Sequence, residues 1–139
     1  ARKEMANAVY DKARQKFLDG TISWSSNNIK AVLVDAADYT VNIATHEFLS
    51  DIAAGARVAT SINLENKTST AGVADADNIS FSAVTGDPSE ALVLYVDTTN
   101  AATSSLICYI DSATGLPVTP NGGDINITWD NGSNKIFKL

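Results

Sequence analysis

Ile29-Lys30-Ala31-Val32-Leu33-Val34-Asp35 is the stretch on which the fold turns. Its Ala31-Val32-Leu33-Val34 centre is an unbroken apolar run. It lacks the alternation of a strand with one face in water, so it reads as a strand covered on both sides. A turn cluster, Ser25 to Asn28, leads into it, and Asp35 closes it. Working outward, Ile22 and Trp24 alternate with small polar residues on the upstream side. Downstream, strands are predicted over Arg57 to Leu64, around Thr68 to Val73, and over Ile79 to Val84, Ala91 to Asp97, Ser105 to Asp111, Ile125 to Trp129 and Lys135 to Leu139. Gly, Asn, Asp, Ser and Pro clusters separate them. That spacing predicts a mainly β fold, a β-sandwich or jelly-roll-like domain.

Before the first strand the punctuation is helical. Met5, Val9, Ala13 and Phe17 recur every four positions, with Tyr10 and Leu18 widening the stripe, which predicts an amphipathic α-helix over 5–19. Gly20 is placed to close it in the left-handed conformation. A short second helix is expected over Thr45 to Ile52, with Thr45 as N-cap and Phe48, Leu49 and Ile52 at helical spacing. Asp130-Asn131-Gly132-Ser133 signals a hairpin joining the last two strands. Thr98 to Thr103 and Leu116 to Gly123 read as exposed loops, the second because its prolines cannot donate to a sheet. The expected organisation is a flexible arm over 1–4 and one β-rich domain over 5–139.

The chain has 139 residues, 45% hydrophobic and 19% charged, enough for one packed core. Its formal charge of −6 repels phosphate backbones, so no nucleic-acid partner is expected. The basic residues cluster early, at Arg2, Lys3, Lys12, Arg14 and Lys16. They suit a solvated helix face or docking to an acidic protein surface. No run reaches the roughly 18 apolar residues that span a bilayer, and no signal-like start is present, so a soluble chain without a membrane partner is expected. Cys108 is the single cysteine, which rules out an intrachain disulfide.

No residue pattern supports catalysis, a cofactor or a metal. His46 is the lone histidine, and no elbow of the G-x-S-x-G type surrounds a serine, so a helix cap or surface role is expected for it. Cys108 sits in an apolar strand without a basic neighbour and reads as inert. Asp75-Ala76-Asp77-Asn78 opens like a calcium loop, but Ser80 and Gly86 stand where such a loop needs glycine and glutamate. A turn before the Ile79 strand fits better. Asp35 and Asp38 are a carboxylate pair whose spacing alone proves nothing. The Asn-x-Ser/Thr triplets at Asn66, Asn78, Asn126 and Asn131 match chance in so Ser/Thr/Asn-rich a chain.

Three segments carry a family likeness. Met5-Ala6-Asn7-Ala8-Val9-Tyr10-Asp11-Lys12-Ala13-Arg14, Ile29 to Asp35, and the ending from Thr114-Gly115-Leu116-Pro117 through Trp129-Asp130-Asn131-Gly132 to Leu139 together resemble small virion proteins of tailed bacteriophages, and among these the capsid cement, or decoration, proteins. The resemblance implies a non-enzymatic role on the outer surface of the virion capsid, clamping neighbouring major capsid protein subunits, with self-association as a dimer or trimer. Partner contact would then fall on the arm and helix, with Arg2, Lys3, Lys12, Arg14 and Lys16 as rim charges around Val9, Tyr10 and Phe17. The same amphipathic stripe equally serves packing on the chain's own sheet. The alternative is an adhesive or receptor-binding module of a tail or head fibre, using Leu116 to Gly123 and Thr98 to Thr103, with Trp24 or Trp129 as a sugar platform.

Overall fold

A computed structural model describes residues 7–111, 113–129 and 135–138. The described chain is mainly β with one α-helix. β1 (Asn7–Val9), β2 (Ile29–Val34), β3 (Arg57–Thr60), β6 (Ala91–Val96) and β7 (Leu106–Ile110) form a five-stranded antiparallel sheet in the order β1-β7-β6-β2-β3. The three most apolar strands, β7, β6 and β2, therefore sit inside and the weaker ones at the edges. Val32, Val34 and Val93 point to one face and Leu33, Leu92 and Leu94 to the other, and all six are fully buried. The sheet is covered on both sides, as the apolar run in β2 requires.

The remaining strands make two short ribbons. β4 (Val73–Ala74) pairs with β9 (Phe137–Lys138), and β5 (Ile79–Phe81) pairs with β8 (Ile125–Ile127). The hairpin expected at Asp130 to Ser133 falls outside the described residues, and its flanking strands β8 and β9 each take an earlier partner instead of one another. β9 is held by packing as well as by pairing. Phe137 meets Trp24 edge-on at 5.3 Å and Phe17 at 6.0 Å. Trp24 and Ile22 are buried as an alternating strand would bury them, but lie in a turn region and not in a strand.

The N-terminal helix is shorter than its apolar stripe predicts. α1 spans Asp11–Leu18, and Asn7–Val9 are a strand paired with Cys108 to Ile110 of β7. Sheet hydrogen bonds take the residues that spacing assigns to the first helical turns. Tyr10, in extended conformation, makes the corner. At the far end Gly20 stops the helix as expected. At φ 78° it lets its own N–H reach Phe17 O and the Thr21 N–H reach Lys16 O, the paired bonds of a Schellman ending. The second helix shrinks to one 3₁₀ turn, Leu49–Asp51. Thr45 does not cap it. Asp51 Oδ2 accepts the amides of Glu47 and Phe48 at 2.7 and 3.0 Å, while Leu49 N–H donates to Ser104 O, so the segment is tied to the start of β7. The arm over 1–4 lies outside the described residues.

Candidate functional site

Of the residues placed on a partner face by sequence, Arg2 and Lys3 lie outside the described residues. Val9 and Tyr10 turn inward, at 2% and 0% exposure, because β1 and its corner are part of the core. This corrects the expectation that they form the centre of a docking patch. Phe17 is half-buried against Phe137, Lys12 is half-buried, and Arg14 is exposed. Lys16, on the same helix, is held by Glu47 at 2.9 Å and Ser105 Oγ at 2.8 Å, and lies over the Phe48 ring. The outer face of α1 thus keeps a charged character, with Leu18, 89% exposed, as the one member of the stripe left fully in solvent.

Beneath the helix corner the histidine finds its role. His46 Nδ1 lies 2.7 Å from Tyr39 Oη, which lies 2.8 Å from Tyr10 Oη, and the Asn42 amide donates to the same Nδ1 at 3.3 Å. An atom that accepts from a backbone amide carries no proton, so Tyr39 donates to His46 and Tyr10 donates to Tyr39. Burial drives the Tyr10 hydroxyl far above its ordinary pKa, with the Tyr39 hydroxyl adding to the effect. Burial also pushes Tyr39 up to about 12. Together the three side chains form a hydrogen-bonded chain that joins the start of α1 to the 39–46 segment. Cys108 is fully buried, and burial raises its thiol well above the ordinary value, as its apolar strand foretells.

Asp75-Ala76-Asp77-Asn78 is a connector. Asp77 Oδ2 accepts from Asn66 at 2.6 Å, Asn78 Oδ1 accepts the Trp129 amide, and Asp77 O accepts the Trp129 indole N–H at 2.9 Å. Trp24 is locked in the same manner, its indole N–H donating to Thr68 O at 2.9 Å. With exposures of 6% and 5%, neither Trp24 nor Trp129 offers a ring face to a sugar.

The fold does gather one carboxylate group that spacing could not reveal. Asp35 and Asp38 meet Asp87, with ligand oxygens within 4.8 Å of one another, at the end of the sheet where Glu90 N–H donates to Val34 O. Asp35 is buried and accepts the Ala37 amide, whereas Asp38 and Asp87 are exposed. The negative charge of Asp35, followed by burial and Asp87, holds the Asp38 carboxyl above its ordinary pKa. Three hard oxygen donors of this kind have the chemistry to hold a divalent cation. Sequence gave no signal for Asp87, which reaches the pair only through the β2–β6 pairing. Among the described residues no helix is long and apolar enough to cross a membrane. Set against known proteins, the chain matches no family model and no curated protein.

Proposed function

We propose that the chain is a structural virion protein of the capsid cement, or decoration, type. In this reading it binds the outside of a phage head, as a dimer or trimer, and stabilises contacts between major capsid subunits. The five-stranded sheet with its two ribbons would act as a sandwich-like wedge, the ribbons forming the second layer. One observation carries the reading: the side chains with the greatest chemical capability are engaged in holding the fold together. His46 is bound to Tyr39, both indoles are bonded to backbone carbonyls, and Cys108 is sealed between β1 and β6. A rigid body of this kind works through the area it hides when lodged between neighbours, and many symmetric copies multiply a modest gain per copy. The burial of Trp24 and Trp129 weighs against the fibre-adhesin alternative, which needs an open aromatic platform.

Loss of the protein tests the proposal. Heads lacking it should assemble yet rupture at lower temperature or milder osmotic shock than complete heads, and adding the purified chain back should restore them. Equal rupture thresholds with and without it would remove the proposal.

A further inference from the structure

Beyond β3 the chain leaves the strand but stays beside β2, the Ser61 N–H donating to Ala31 O at 2.8 Å and the Leu64 N–H to Ile29 O at 2.7 Å. It is then tied to the connector before β5, because Asp77 N–H donates to Glu65 O at 3.0 Å and Asn66 bonds the Asp77 carboxylate. Between these two stretches lies a cleft of about 320 Å³ whose walls include Ile62, Asn63, Glu65, Asp77, Ser80 and Ser82. One wall is built by Ile79 and Ser80 of β5, whose one strand partner among the described residues is β8. Across from it, the amides of Ile62 and Asn63 make no hydrogen bond among the described residues. Ile62 is 69% exposed, one of two large apolar side chains left in solvent among the described residues. The lining carries two carboxylates and no cationic side chain.

We propose that this cleft seats an extended segment of a partner protein that bears a lysine or arginine. The segment's main chain would add along the open edge of β5, an apolar side chain would cover Ile62, and the cation would lie between Glu65 and Asp77. Strand addition uses main-chain bonds for affinity and alternate side chains for specificity, which matches a wall of unpaired backbone beside one apolar and two acidic groups. Charge complementarity selects a basic segment and disfavours another copy of the same acidic edge. This deepens the structural-protein reading and rests on it only for the partner's identity. The competing account is that Glu65 and Asp77 guard an edge against pairing of any kind.

Two short synthetic peptides separate these accounts, one alternating lysine and valine, the other glutamate and valine. Each is titrated into the isotope-labelled full chain and followed by amide chemical shifts. The lysine peptide should give saturable shifts confined to 61–66 and 77–82, and the glutamate peptide none. Ile62→Glu and Glu65→Lys, both at exposed positions that leave the core untouched, should abolish those shifts while the rest of the spectrum stays native. Shifts mapping elsewhere, an equal response to both peptides, or no response at millimolar peptide would overturn the proposal. Self-association of Glu65→Lys without peptide binding by the wild type would establish the guarded edge instead. Binding of the same variants to phage heads keeps the two readings apart. A wild type that takes the lysine peptide but never binds a head leaves the cleft standing and removes the capsid role. If Ile62→Glu binds heads as the wild type does, the cleft fails as the docking seat and the capsid role survives.

Discussion

The centre of the five-stranded sheet and the two ribbons beside it solve the same problem in different ways. β2, β6 and β7 contribute five or six residues each, bury both faces and satisfy both edges against other strands. The ribbons pair only two or three residues, and among the described residues β5 has one edge without a strand partner. A saturated region can add stiffness but cannot accept a visitor. The partly paired region holds the cleft at Ile62 and Asp77, so the proposed docking would fall outside the saturated sheet.

Truncation of buried side chains should break or confirm that division most clearly. Leu94→Ala, at 0% exposure in the central strand, should cost about 2–5 kcal/mol by chemical denaturation, since neighbours on both sides prevent collapse of the cavity. Ile79→Ala in β5, at 7% exposure beside the cleft, should fall at the low end, about 2 kcal/mol, because a cavity opening toward solvent is relieved more easily. Equal losses would mean that the ribbons are as integral as the sheet.

A smaller effect tests the layer that covers the sheet near α1. Tyr39→Phe removes the hydroxyl that accepts from Tyr10 and donates to His46, leaving the Tyr10 hydroxyl buried without a partner. The expected loss is about 1–3 kcal/mol, the usual cost of an orphaned buried polar group. The double variant with Tyr10→Phe should recover part of it, because no orphan then remains. A double variant no more stable than the single would show that ring packing, and not the hydroxyl chain, holds the corner.

The same contrast explains what the chain's residues disclosed in advance. Ala31 to Val34, Leu92 to Tyr95 and Leu106 to Ile110 are legible because unbroken apolar runs demand cover on both faces whatever lies around them. Val9 was not legible. Its spacing to Ala13 and Phe17 suits a helix, and only the distant Cys108, its pairing partner in β7, turns it into a strand. Phe137 fails in the same way: turn chemistry pointed to the preceding strand, whereas packing on Trp24 and Phe17 fixes it beside β4. Of the candidate sites, the inertness of Cys108 followed from local composition. The cleft and the meeting of Asp87 with Asp35 and Asp38 follow from non-local pairing, which no local pattern encodes.

That acidic corner supplies the smallest effect and a second test of where the molecule carries strain. Asp35 is buried and charged beside Asp38, so the Asp38 carboxyl is held above its ordinary pKa chiefly by like-charge repulsion. A carboxyl whose pKa is higher folded than unfolded binds its proton better in the folded state. The repulsion therefore opposes folding at neutral pH and is relieved as pH falls through the carboxylate range. Asp38→Asn should melt slightly higher than the wild type at pH 7, and the gap should narrow on acidification, as thermal scans across pH would record. A gap that is absent at pH 7 would show that solvent screens the corner fully, and one that widens in acid would show that like-charge repulsion is not its source. If calcium raises the melting temperature of the wild type but not of Asp38→Asn, the corner is a cation seat, and its repulsion is what an ion relieves. The sheet end would then join the β5 cleft as a place where the fold leaves interactions open to something outside itself.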